Sequence, residues 1–180
     1  MSSIKKILIH NREFVQNKCY QEFTATKLPR KKIAILTCMD TRLVELLPAA
    51  LGIKNGDVLM LKSAGARITG PFDNILRSLL IGITELGVEE IMVIGHTNCG
   101  AAGINAQKIK TSLIKRGVSQ TFIDSASIDF NTWLSGFDSV EDSVRNTVDS
   151  LLRHPLMPKE VCITGYVIDI ETGMLTSIEK

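Results

Sequence analysis

The sequence has no long apolar run and no excess of either charge. Its hydrophobic stretches fall far short of the roughly 20 residues that a membrane-spanning helix needs, so no membrane role is expected. The chain does not open on a basic segment followed by an apolar one, so no secretory signal is expected. The formal net charge is only +2, which gives no case for nucleic acid or an anionic membrane surface as a partner. There is no internal repeat and no low-complexity segment. Cysteine is scarce: Cys19, Cys38, Cys99 and Cys162 stand far apart. That spacing speaks for free thiols or metal ligands over a disulfide scaffold. The expected setting is soluble, intracellular and cytoplasmic. Histidine is scarcer still, with His10, His96 and His154, and Trp133 is the single tryptophan.

What is present is an ordinary globular balance, 44% hydrophobic and 22% charged over 180 residues. That length fits one domain able to fold without staples. We read residues 1–180 as one domain, with a helical arm over 1–26 and an α/β core over 33–180. In the arm, Ile4, Ile7, Leu8, Phe14, Val15 and Phe23 recur at near-helical spacing. They predict an amphipathic helix over 4–23 that packs on its own sheet or on another subunit. The basic run from Lys27 to Lys32 reads as solvated punctuation before a strand.

Short runs rich in β-formers then predict strands over 33–37, 58–61, 91–94 and 161–170. A turn at Thr172-Gly173 leads to a last strand over 174–178. Helices are predicted over 43–51, stopped by Gly52, and over 71–86, with Pro71 at the start and Gly87 at the stop. Another follows Gly100, ahead of a less periodic stretch to Phe137. The last spans 139–152, with Ser139 as its cap. Alternating strands and helices predict a three-layer α/β fold, a mostly parallel sheet with helices on both faces. Such sheets carry function at the carboxyl ends of their strands.

Three groups fall at those ends: Cys38-Met-Asp40-Thr-Arg42, Lys62-Ser-Ala-Gly65-Ala-Arg67 and His96-Thr-Asn-Cys99-Gly100. A His-x-x-Cys pair reaches one ion from a single turn, and Cys38 supplies a third donor from a neighbouring strand end. Zinc favours thiolate and imidazole donors, and three protein ligands leave one position open for water or substrate. No fourth ligand stands at structural-zinc spacing. Cys19 and Cys162 read as small core or interface residues, and His10 and His154 as surface or capping residues. Asp40, two residues beyond Cys38, can accept a hydrogen bond from hydroxide on the metal or bind the metal itself. Arg42 can grip that carboxylate fork to fork and keep it ionised. The glycines around Gly95 to Gly103 lack the spacing of a dinucleotide fingerprint. Arg42 also lies too close to Cys38 to close a phosphate cradle around a nucleophilic cysteine.

These residues resemble the β-class carbonic anhydrases. The likeness rests on Cys38-x-Asp40-x-Arg42, His96-x-x-Cys99-Gly100, the Ala64-Gly65 loop and the closing segment from Gly165 to Leu175. It covers nearly the whole chain. It implies an antiparallel edge strand on the parallel sheet. It implies a homodimer or higher homo-oligomer, with the first helix lying across the partner. One Zn2+ per subunit would sit on Cys38, His96 and Cys99. The implied reaction is reversible hydration of carbon dioxide to bicarbonate and a proton. Hydroxide on zinc would attack carbon dioxide, oriented by the Asp40–Arg42 dyad, with Ser63, Ala64 and Gly65 along the substrate pocket. Ser63 stands where the family commonly has asparagine. Some members close the site by turning the aspartate onto zinc, and use a tryptophan shortly before the first cysteine to hold regulatory bicarbonate. Ile35 occupies that region here, so an open site is expected, with Asp40 as a fourth ligand only in a closed state. Two other readings stay open: a carbonyl sulfide or carbon disulfide hydrolase on the same scaffold, and a non-catalytic zinc-stabilised binding module.

Overall fold

Alternating apolar residues build the centre of the fold. In the computed structural model, which describes residues 1–179, strand β1 (Ile33–Cys38) lies between β2 (Val58–Ser63) and β3 (Glu90–His96). Strand β4 (Cys162–Ile168) follows β3, and β5 (Leu175–Ile178) closes the edge. The order is β2-β1-β3-β4-β5; the first four strands are parallel and β5 runs antiparallel to β4. The two faces alternate along each strand. Ala34, Ile91, Val93, Ile163 and Val167 face one core, and Ile35, Ile94 and Ile168 face the other.

Helices cover both faces. Helix α2 (Leu43–Ala50) supplies Leu43 and Leu47 to one core. Helices α3 (Asn74–Leu86) and α7 (Val140–Arg153) supply Leu76, Leu79, Val144, Val148 and Leu151 to the other. The split follows from topology. The chain steps from β1 outward to β2, then back past β1 to β3. A right-handed crossover in each direction must pass on opposite faces of the sheet. Helix α7 lies close because the strands beneath it carry glycine. A Cβ at Gly95 would stand 2.8 Å from Val140 Cγ1 and Val144 Cγ2, and one at Gly165 2.8 Å from Val144 Cγ1.

Several boundaries differ from the sequence expectation. The arm is not one helix over 4–23: α1 covers Ser3–Gln16, and a 3-10 turn covers Cys19–Phe23. Lys18 adopts a left-handed backbone (φ 56°) that folds the second piece back, bringing Phe14 and Phe23 to 6.0 Å between ring centroids. Helix α3 begins at Asn74, not Pro71. Asp73 caps it by accepting from Leu76 N (2.9 Å) and Thr69 N (2.7 Å), and this carboxylate satisfies free amides that Pro71 cannot. The stretch after Gly100 forms α4 (Ala106–Lys115), α5 (Gln120–Ser125) and α6 (Phe130–Leu134). The basic run is more than punctuation. Arg30 donates to Asp57 and to the Asn55 carbonyl, tying the run to the entry of β2. Cys19 and Cys162 are both exposed on this chain, so neither belongs to its core. His154 caps α7, as expected, and donates from Nε2 to the Pro71 carbonyl (2.8 Å). Among the described residues, no helix is long and apolar enough to cross a membrane.

Candidate metal centre

The reversal of direction in the sheet falls between β1 and β3. At such a switch point the two loops part and leave a crevice beyond the strand ends. Cys38 ends β1 and His96 ends β3. Below them a buried bond from Thr37 Oγ1 to the Ile94 carbonyl (2.9 Å) ties the strands together. Cys99 follows within a tight loop, because Asn98 takes a left-handed backbone (φ 51°) that short polar side chains tolerate. Donor atoms of Cys38, His96 and Cys99 all lie within 4.8 Å of one another, and all three residues are buried.

The imidazole is set for a metal. His96 is fully buried, and its Nδ1 lies 2.8 Å from the Thr97 carbonyl. With the proton on Nδ1 to make that bond, Nε2 carries a free lone pair. Among the described residues Nε2 has no hydrogen-bond partner. An orphaned buried nitrogen of this kind costs about 1–3 kcal/mol unless something binds it. The thiols fit as well. Cys38 Sγ and Cys99 Sγ are 3.8 Å apart. Two sulfurs about 2.3 Å from one tetrahedral zinc stand roughly 3.8 Å apart. Gly65 N donates to Cys38 Sγ (3.4 Å) and Ala101 N to Cys99 Sγ (3.5 Å). Burial, with the Cys38 thiol alongside, pushes the Cys99 thiol up, and a cation between the sulfurs reverses that penalty. The donor set suits zinc, so these three residues could hold a metal.

Asp40 lies at the open side of this cluster, with Oδ2 3.7 Å from His96 Nε2. Its Oδ1 accepts from the backbone N of Arg42 (2.9 Å), which turns the chain back over the site. The Arg42 guanidinium donates to both carboxylate oxygens, at 3.0 and 2.8 Å, and to the Asn98 carbonyl at 2.9 Å. Held mainly by the Arg42 side chain, the Asp40 carboxyl stays well below the usual carboxylate range. The fork-to-fork pair read from the sequence is therefore present.

The Ser63-Ala64-Gly65 loop stands beside Cys38, since Ser63 pairs with it across β1 and β2. Ser63 Oγ works inside the loop, donating to the Arg67 carbonyl (3.0 Å) and accepting from Arg67 N (2.9 Å). A groove of about 650 Å³ opens there, with Met39, Ala64, Ala101, Ile104 and Trp133 among its walls. Sequence reasoning assigned no part to Thr97, Asn98 or Phe137. The first two act at the cluster through their backbone carbonyls, which no side-chain pattern reports. Phe137 arrives from a distant loop. Arg67 ends the Lys62-to-Arg67 group, but the partners of its guanidinium are carbonyls some 70 residues away.

A family model described as carbonic anhydrase matches residues 33–175. The chain belongs to the β-carbonic anhydrase family. In this enzyme family, a Bacillus subtilis (strain 168) protein named "Putative carbonic anhydrase YvdA" is 48% identical over 178 residues, covering 97% of this chain and 90% of that one. A carbon disulfide hydrolase of Acidithiobacillus thiooxidans is 30% identical over 159 residues, covering 81% and 76%. Among solved structures, β-carbonic anhydrase isoform I of Trichomonas vaginalis superposes with a TM-score of 0.90 at 35% identity, covering 99% and 98%.

Proposed function

We propose that this chain catalyses reversible hydration of carbon dioxide to bicarbonate and a proton, with one zinc ion per subunit on Cys38, His96 and Cys99. The observation that carries this reading is a carboxylate at the open side of a three-donor cluster. Asp40 is locked in its ionised form by Arg42 and lies 3.7 Å from the unpartnered His96 Nε2. A purely structural metal site has no use for such a group. A zinc ion held by these three residues would supply the Lewis acidity that makes water a nucleophile near neutral pH, tempered by two thiolate donors.

The remaining work falls to the chain itself. Asp40 Oδ2 accepts a hydrogen bond from the attacking water, which aims an oxygen lone pair at the substrate carbon. Arg42 engages both carboxylate oxygens and would keep Asp40 in that pose rather than let it serve as a fourth ligand. Ser63 and Ala64 line the groove beside the cluster, where an apolar linear molecule would sit, and Gly65 is buried next to them. The competing reading, carbon disulfide hydrolysis, draws on the relatives of that name at about 30% identity. Carbon dioxide is preferred because the likeness to β-carbonic anhydrase isoform I of Trichomonas vaginalis reaches 35% identity and a TM-score of 0.90 over 99% of this chain.

The test measures carbon dioxide hydration, sulfide release from carbon disulfide, and zinc content on one purified sample. Hydration with one zinc per chain and little sulfide release is expected. Asp40→Ala should keep its zinc and lose hydration by roughly 100-fold or more. Unchanged hydration in that variant would remove the role given to the dyad, and sulfide release as the main activity would replace the substrate.

A further inference from the structure

The two N–H groups aimed at the thiols come from separate loops, and contacts from a third segment join the two. Gly65, which donates to Cys38 Sγ, is followed by Ala66, and both adopt left-handed backbones, φ 74° and 57°. Two such residues in succession, one of them not glycine, store strain that the surroundings must offset. Ser63 Oγ closes the loop from within. From outside, Arg67 reaches across and donates from one guanidinium nitrogen to the Ser135 (2.9 Å) and Gly136 (3.1 Å) carbonyls. Its guanidinium carbon also lies 6.0 Å from the centre of the Phe137 ring, within reach of a cation–π contact.

The segment that Arg67 grips is joined in turn to the loop behind the second thiol. Gly136 N donates to the Ile104 carbonyl (3.0 Å) and Gly103 N to the Phe137 carbonyl (2.8 Å). The approach is so close that a Cβ at Gly136 would stand 2.2 Å from the Ala101 carbonyl oxygen. Ala101 is the residue whose N–H meets Cys99 Sγ. The Phe137 ring also seats directly on Gly65, where a Cβ would come within 2.6 Å of its Cε1. One continuous chain of contacts therefore runs from Cys38 Sγ through Gly65, Arg67 and residues 135–137 to Ala101 and Cys99 Sγ.

We infer that Arg67 is a positioning residue for the metal centre: by latching the 64–67 loop to residues 135–137 it holds both N–H···S hydrogen bonds on the thiolates and so sets how tightly the metal is kept. The inference rests on the zinc reading above. The Arg67 guanidinium bonds to the Ser135 and Gly136 carbonyls and not to a donor atom, so it acts through the amides of Gly65 and Ala101. Hydrogen bonds to ligand atoms orient them and tune their donor strength. Losing such support typically changes metal affinity by roughly 10–100-fold.

The experiment uses the full chain with two metals. Zinc transfer to a competing chelator is timed for the wild type, Arg67→Met, Arg67→Lys and the remote control Arg153→Met. Each protein is also loaded with cobalt, and its thiolate-to-metal charge-transfer absorption is recorded. Arg67→Met should release zinc roughly 10-fold faster or more and shift the charge-transfer band. Arg67→Lys should recover part of both effects, and Arg153→Met neither. If Arg67→Met folds poorly, Arg67→Lys alone carries the test, since it keeps the charge and loses the fork. Thermal melts of the metal-free forms separate a merely structural role. A lower melting temperature with wild-type zinc release and an unmoved band overturns the inference. A wild-type chain that takes up neither metal overturns the zinc reading instead, and the two failures are told apart on the first sample.

Discussion

Single residues at the candidate site and at its periphery obey the same electrostatic rule, and Asp57 lets it be tested away from the Cys38–His96–Cys99 cluster. Its carboxylate is buried at the entry of β2, accepts from Lys54 N (2.9 Å) and pairs with Arg30 at 2.7 Å. The Lys54 amide, with Arg30 adding to it, lowers its pKa below the ordinary carboxylate value. A carboxylate with a depressed folded pKa stabilises the fold fully above its unfolded pKa, about 3.9, and the contribution is lost as pH falls through the folded value. Asp57→Asn should therefore lower the melting temperature at pH 6, and the deficit should shrink as pH falls below about 4. A deficit that does not vary with pH would mean that the charge is not what stabilises. At this scale the sequence was informative where function needs a side chain. Cys38, Asp40, Arg42, His96 and Cys99 stood out because ligand chemistry demands those side chains at those spacings. Thr97 and Asn98 did not, because they contribute carbonyl oxygens that any residue carries.

Elements were legible in type and less so at their ends. Periodicity placed the strands of the sheet and the three helices packed on it, since each buries a face of regular spacing. The end of α1 and the start of α3 moved because backbone conformation at Lys18 and side-chain capping by Asp73 outweighed apolar spacing and Pro71. What spacing could not report is the distance between layers, which glycines set. Gly165 in β4 admits Val144 and Val148 of α7, where a Cβ would lie 2.8 and 3.2 Å from their methyl carbons. Gly165→Ala should cost about 1–3 kcal/mol by overpacking, read as a lower denaturant midpoint with unchanged slope. Combining it with Val144→Ala should give a loss smaller than the sum of the two, by at least about 0.5 kcal/mol, because the new methyl fills the space vacated. Strict additivity would place the strain elsewhere.

The whole molecule places its chemistry at the point where its sheet changes direction, and it leaves one part unfinished. Two strands that diverge in connection, β1 and β3, bring Cys38 and His96 together, and no sequence neighbour does so. Helix α1, by contrast, buries none of its residues. Ile4, Ile7, Leu8 and Val15 lie exposed along it, with Phe23 just beyond, more apolar surface than a free helix carries without cost. An amphipathic helix of 14 residues is marginal in water on its own and takes its stability from packing. We propose that a second copy of this chain supplies that packing and that the working form is a homodimer or a higher homo-oligomer. Light scattering on the full chain should then give an integer multiple, two or more, of the 19.8 kDa subunit mass. Replacing Ile4, Ile7 and Leu8 together by glutamate should shift the mass toward one subunit and should lower helical content, because the uncovered helix loses what holds it. A wild-type chain that scatters as a monomer would overturn the proposal. So would a triple variant that keeps the wild-type mass, since the contact would then lie on another face.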